Sequence, residues 1–223
     1  MLIQEIRDIL SAAKDRRWVL EPEAKRIFSG VGLEVPRFIW TTRIEEALRF
    51  ANEKGYPVVA KVVSPKILHK SDQKGVVVGI EGDHELREAF ERFQRMDGFA
   101  GILVEEMVSG VELIIGSKID YQFGPVVLLG IGGTGVEIYQ DVSLRMAPLS
   151  PRDVEGMAGC LKGRRLLEGY RGAEPVNVAK LTELLRIFSN LVTELGKSVK
   201  SIDLNPVICS SNRCVIADAR IIL

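Results

Sequence analysis

An α+β fold in two lobes is the architecture this sequence predicts. Strand-like runs follow one another directly over much of the chain, whereas parallel β–α–β units are few, which argues against a doubly wound sheet. Helix patterns with clear caps interrupt those runs. A soft boundary at residues 107–110, with Val108-Ser109-Gly110 as a candidate hinge, divides the chain. The expected organisation is an N-terminal amphipathic helix over residues 1–20, a first lobe over 21–107 and a second lobe over 108–223.

The elements follow in order. Leu2, Ile3, Ile6, Ile9, Leu10 and Ala13 recur at helical spacing with charges on the other face, so the N-terminus reads as an amphipathic helix rather than a signal peptide. Pro22 opens a second helix, and Gly30 and Gly32 end it. The run VPRFIW reads as a short strand. Thr42 and Glu45 have capping-box spacing for the helix IEEALRFANEKG, which Gly55 stops. PVVAKVVS and GVVVGI are strands flanking a polar loop, and Asp83 is expected to cap a helix running to about Arg95. GILVEEMV, VELIIGSKID and GPVVLLGIGG are strands, the last two joined by a turn at Asp120 to Gly124. VEIY is a short strand after a glycine-rich loop. Ser150-Pro151 and Asn177 open two more helices, and KSIDLNPVIC and CVIADARIIL close the chain as a hairpin.

Composition narrows the function. The chain has 223 residues, 46% of them hydrophobic, with 30 basic and 30 acidic side chains. This balance creates no strong field towards nucleic acid or an anionic membrane. No apolar run reaches the roughly 18 residues that a span requires. Cys160, Cys209 and Cys214 have no clustered histidine with them, so they read as reduced thiols of a cytoplasmic protein rather than a zinc site.

Lys61 stands inside Val58-Val59-Ala60-Lys61-Val62-Val63, a run apolar on both faces. A buried ammonium requires an anion. An edge position, an internal carboxylate or a ligand phosphate each satisfies that requirement. The loop SPKILHKSDQKGVVVG then brings Lys66, His69, Lys70, Lys74 and Gly75 together, with backbone N–H groups from Ser71 to Val76 as further donors to a polyphosphate. His69 is either an ordinary surface histidine or a nitrogen nucleophile for phosphoryl transfer. Phosphate chemistry requires a divalent cation on oxygen ligands. Asp203 and Asn205 lie two apart, and Asn205 faces Asp218 if the last two strands pair, a donor set suited to Mg²⁺. Glu105 and Glu112 lie seven apart across the expected hinge; the strand edge at Glu106 to Val108 is able to offer backbone N–H and C=O groups to adenine, with Glu112 as an acceptor for ribose hydroxyls. GIGGTGVE matches neither a P-loop nor a dinucleotide fingerprint and is a weak signal by itself.

Together, YPVVAKVVSPKILHKSDQKGVVVGI, GVELIIGSKIDYQFGPVVLLGIGGTGVEIYQDVSLRMAPL, LLEGYRG and IDLNPV resemble the β subunit of ADP-forming acyl-CoA synthetases of the acetyl-CoA synthetase type. That subunit is an ATP-grasp module related to the β chain of succinyl-CoA synthetase. The resemblance implies nucleotide bound between two lobes, with Lys61, Lys70 and Gly75 at the ATP phosphates, Glu105 and Met107 in the adenine segment and Glu112 at ribose. It implies Asn205 and Asp218 on Mg²⁺, and His69 as a second phosphorylation site. It also implies an α subunit carrying the CoA-binding and phosphohistidine domains, in an α2β2 assembly, with ATP and ADP as substrates. Two other functions fit the residues: an ATP-grasp carboxylate ligase without a histidine relay, and a non-catalytic ATP-sensing subunit.

Overall fold

A computed structural model describes residues 2–133 and 140–223. The chain divides into two compact units, residues 36–108 and residues 1–35 with 109–223. One boundary between the units lies between Val108 and Ser109. Residues 21–35, expected in the first lobe, belong instead to the same unit as the C-terminal half.

In the smaller unit, β2 (Phe38–Thr41), β3 (Val58–Val63), β4 (Val76–Ile80) and β5 (Gly101–Glu106) form an antiparallel sheet in the order β2-β5-β3-β4. Helices α3 (Ile44–Lys54) and α4 (Asp83–Gln94) cover one face. Val58, Ala60, Val62, Ile102 and Val104 point to that face and pack with Ala47, Leu48, Leu86 and Phe93. Strand alternation sends Val59, Lys61, Val63, Leu103 and Glu105 to the other face. Two expected caps are replaced by neighbours. Thr41, not Thr42, organises the start of α3: its Oγ1 donates to Glu46 and accepts from the Arg43 N–H. Gly82 is the N-cap of α4, where the Glu85 carboxylate accepts from the Glu81 N–H. Asp83 instead accepts from Asn52 and Tyr56, and these bonds hold its carboxyl below the usual range.

The larger unit has a seven-stranded sheet in the order β1-β11-β9-β6-β7-β8, with β10 also on β9. Its strands are β1 (Trp18–Val19), β6 (Val111–Asp120), β7 (Gly124–Ile131), β8 (Val142–Met146), β9 (Ser201–Cys209), β10 (Cys214–Ile216) and β11 (Arg220–Ile222). Helices α1 (Leu2–Ala12), α2 (Glu21–Gly30), α5 (Pro151–Cys160) and α6 (Val178–Leu195) belong to this unit. Ile6, Leu10, Phe28, Met157 and Phe188 share one core with Leu113, Ile115, Val127, Leu129, Leu204 and Val207. The N-terminal helix therefore packs on its own chain. The turn after β6 forms as expected, the Asp120 carboxylate accepting from Gln122 and Phe123 N–H. Ser150 and Asp153 make a reciprocal cap on α5, and Asn177 caps α6.

Three features depart from expectation. Trp18–Val19 is a strand, paired with Ile221–Ile222. Val142–Met146 is also a strand, whereas the expected strand at 136–139 lies outside the described residues. The last strand is split into β10 and β11, because the register of β9 against β6 shifts at Asn205–Pro206. The described residues contain no helix long and apolar enough to cross a membrane.

Candidate functional site

Lys61 lies on the face of the small sheet opposite to the one that packs on α3 and α4. The ladder pairs it with Leu103 and pairs Val59 with Glu105, so Lys61 and Glu105 are diagonal neighbours on one face. Lys61 Nζ lies 2.6 Å from Glu105 Oε1, with side chains only 8% and 3% exposed. The anion that the sequence demanded is thus an internal carboxylate, supplied 44 residues along the chain. Beyond the strand end, Met107 is exposed, and the Glu106 N–H is bonded to the Arg37 carbonyl.

The loop leaving β3 is anchored at both ends. Ser64 Oγ donates to the Asp97 carbonyl and accepts from Lys66 N–H, while Lys66 Nζ reaches Asp97 at 2.8 Å. Ile67 is a buried plug. At the far end the Val62 N–H donates to the Gly75 carbonyl. A Cβ at Gly75 would meet Val62 Cγ1 at 2.6 Å and the Lys70 carbonyl at 3.1 Å, so only glycine permits this approach. Between these anchors His69 is exposed and Lys70 half-buried. Of the expected phosphate donors, the N–H groups of Gln73 and Gly75 bond to the Lys70 carbonyl, and that of Lys74 to the Ser71 carbonyl. Those three amides are therefore satisfied within the loop.

On the larger unit, the bulge at Asn205–Pro206 changes which side chains face the core. Leu204 and Val207 both point inward, although three positions apart. Ile216 on β10 and Ala219, just before β11, are also packed in that core. The pairs Val207–Ile216 and Asp203–Arg220 flank the bulge, and their shared register sets Asn205 across from Asp218. Both lie on the face away from the core. Asp203 is held by Arg220 at 2.7 Å, and Asp218 Oδ1 accepts from the Ala219 N–H.

An amide carbonyl and a carboxylate form a hard oxygen pair, which fits a magnesium ion that keeps water and takes its remaining ligands from phosphate. The described residues contain no group of three or more acidic, histidine or cysteine side chains that could replace such a site. Glu112 is exposed on β6, opposite Ile208. The glycine-rich loop returns against it: Gly132 N–H donates to the Glu112 carbonyl at 2.7 Å, and a Cβ there would meet that backbone at 3.0 Å. Residues 134–139 of that loop lie outside the described residues.

The same face continues into an apolar area that sequence reasoning missed. Val142, Leu144 and Met146 pair with Gly130, Leu128 and Val126 and are all exposed, whereas Ser143 points inward. One half of the sheet face is thus apolar. The other half bears Glu112, Asp203, Asn205, Asp218 and Arg220. Polar and apolar chemistry on one surface suits a ligand with a flat base at one end and charged groups at the other.

Comparison with known proteins identifies the family. The family described as ATP-grasp domain matches residues 11–223. The chain is 40% identical to the β subunit of acetate–CoA ligase (ADP-forming) I of Pyrococcus furiosus, with 99% of each chain covered. It is similar to the dinucleotide-forming acetyl-coenzyme A synthetase 1 of Ca. Korarchaeum cryptofilum in complex with coenzyme A, Ca-AMPCP and HgCl+, at 41% identity and TM-score 0.89, covering 97% of this chain and 99% of that one. A second structure of that enzyme, with coenzyme A and Mg-AMPPCP, has its phosphohistidine segment pointing towards the nucleotide-binding site; there the TM-score is 0.84, at 41% identity and the same coverage. The chain belongs to the ATP-grasp family and, within it, to the β subunits of ADP-forming acetate–CoA ligases.

Proposed function

We propose that this chain is the nucleotide-binding β subunit of a cytoplasmic ADP-forming acyl-CoA synthetase. With an α subunit, in an α2β2 assembly, it converts acyl-CoA, ADP and phosphate reversibly into acid, CoA and ATP. The observation that carries this reading is the buried Lys61–Glu105 pair on the sheet face opposite α3 and α4, with exposed His69 on the loop that leaves the same strand. An imidazole that must be reached by a partner's phosphohistidine has to be exposed, and one anchored at both loop ends returns to a defined place.

In this reading Lys61 and Lys70 contact the phosphates, Gly75 shapes the loop, Glu105 and the 105–107 segment with Met107 hold adenine, and Glu112 accepts from ribose. Asn205 and Asp218 hold Mg²⁺, whose charge offsets that of the phosphates. His69 attacks the phosphorus of the partner's phosphohistidine; a new P–N bond forms as the old one breaks. The terminal phosphate oxygen of ADP then attacks, and the P–N bond at His69 is exchanged for the P–O bond of ATP. Because both carriers are phosphoramidates, the relay loses little transfer potential.

Incubation with Mg²⁺ and ATP labelled at the γ-phosphate tests this. Acid-labile, base-stable label on His69, chased by ADP, is the expected result. Nucleotide binding without such label supports a sensing subunit. Formation of an acyl phosphate by the chain alone supports a ligase without a relay. Either outcome overturns the proposal.

A further inference from the structure

Cys209 and Cys214 have no part in the phosphate chemistry, yet their placement is specific. They are direct partners across the β9–β10 hairpin. Ser210 N–H donates to the Arg213 carbonyl at 2.8 Å, and Ala217 N–H to the Pro206 carbonyl at 3.0 Å. Hydrogen-bonded pairs alternate with non-hydrogen-bonded ones along an antiparallel ladder, so Cys209 and Cys214 occupy a non-hydrogen-bonded pair. Such pairs have Cα atoms roughly 4.5 Å apart, inside the range that a disulfide spans. Both side chains share the core face with Val207 and Ile216. Both thiols are free, and they hydrogen-bond to each other. Cys209 is fully buried. Cys214 is 5% exposed and lines an open cleft with Gly32, Leu33, Glu34, Lys180 and Leu184.

We propose that Cys209 and Cys214 form a redox modification site that a hydroperoxide closes to a disulfide, entering by the cleft at Cys214. The Cys214 thiolate attacks the distal peroxide oxygen, the O–O bond breaks, and a sulfenic acid forms with release of water or an alcohol. Cys209 sulfur then attacks the Cys214 sulfur. The S–S bond forms as the S–O bond breaks, and the hydroxide leaving takes up the Cys209 proton as water. Two electrons pass from the thiols to the peroxide. The order of attack follows from access. It also follows from the Cys209 thiol, which its hydrogen bond to Cys214 and its burial push far up, leaving it protonated until the sulfenic acid is beside it. Cys160, exposed on α5, is an internal control.

The test treats the intact chain with hydrogen peroxide, unfolds it, alkylates remaining thiols and maps the digest without reduction. The expected result is a peptide bridging Cys209 and Cys214, lighter by two hydrogens and released by dithiothreitol, with Cys160 outside any bridge. In Cys209→Ser the reaction should stop at a Cys214 sulfenic acid trapped by dimedone. Recovery of Cys209 and Cys214 both alkylated while Cys160 is oxidised overturns the proposal. So does a bridge that includes Cys160. The wild-type digest decides the question by itself if Cys209→Ser does not fold.

Discussion

Replacing either member of the Lys61–Glu105 pair should separate what holds the small unit together from what binds nucleotide. The side chains are 8% and 3% exposed and their charged atoms 2.6 Å apart, so truncating one leaves the other charge buried. Breaking a buried pair in this way costs about 3–5 kcal/mol. For a chain of this size each kcal/mol lowers the melting temperature by roughly 2–4 °C. Lys61→Met and Glu105→Leu should therefore each lower it by about 6–20 °C. The double variant removes both charges and keeps the volume. Exchanges of that kind are often neutral or stabilising by about 1–4 kcal/mol, so its melting temperature should return close to wild type.

Nucleotide binding should stay weaker than wild type, because the double variant keeps Lys70 but lacks the Lys61 ammonium that the proposed function places on the phosphates. Calorimetric melting gives the first quantity, and titration with an ATP analogue and Mg²⁺ gives the second. A double variant as unstable as its parents would refute the claim that uncompensated charge is the source of the loss. A double variant that binds the analogue as wild type does would show that Lys61 serves the fold alone.

Other expectations follow from the same coordinates. His69→Ala should abolish ATP formation in the assembled enzyme and leave nucleotide affinity within about twofold, since the ring is exposed on its loop; binding titration beside turnover checks both. Asp218→Ala should move the Mg²⁺ dependence of nucleotide binding to higher concentration, and an unchanged Mg²⁺ titration would remove Asp218 from the metal site. Gly75→Ala forces a methyl within 2.6 Å of Val62 Cγ1 and should cost about 1–3 kcal/mol in a denaturant melt. Asp83 gives a pH signature. Its bonds from Tyr56 and Asn52 lower its carboxyl in the folded state, so the stabilisation is present above the ordinary aspartate value of about 3.9 and is lost as pH falls through the lower folded value. Urea midpoints should then fall less steeply on acidification in Asp83→Asn than in wild type.

The candidate residues stand out in the sequence because they break local patterns. A lysine inside an all-apolar run demands an anion whatever the fold, and a polar pair near a strand end invites a cross-strand partner. What stayed hidden was long-range. Nothing near Lys61 says that its partner is Glu105, because the pair exists only once β3 and β5 lie side by side. Trp18–Val19 has too few residues to signal a strand and is one by virtue of Ile221–Ile222. Residues 1–35 carry no mark of the unit they join, since that depends on which apolar face reaches which sheet. Thr41 and Thr42 are both plausible caps by type, and the choice follows from where Glu46 lies on α3.

The missed strand Val142–Met146 has a more instructive cause. Alternation normally assigns Val142, Leu144 and Met146 to the core and Ser143 to water, and here the assignment is reversed. Ser143 sits opposite Leu129 on the packed face, while the large apolar side chains are left exposed. A sheet that kept its apolar residues for its own core would have no surface for a flat base. The bulge at Asn205–Pro206 makes the complementary exchange at the polar end of the same face. By inserting a residue it lets Leu204 and Val207 both stay packed and turns Asn205 outward, across from Asp218. Without that insertion strict alternation would force a choice between burying the amide and exposing a core residue. Local rules fail at both ends of one sheet face, which is the pattern expected of a surface that binds a ligand.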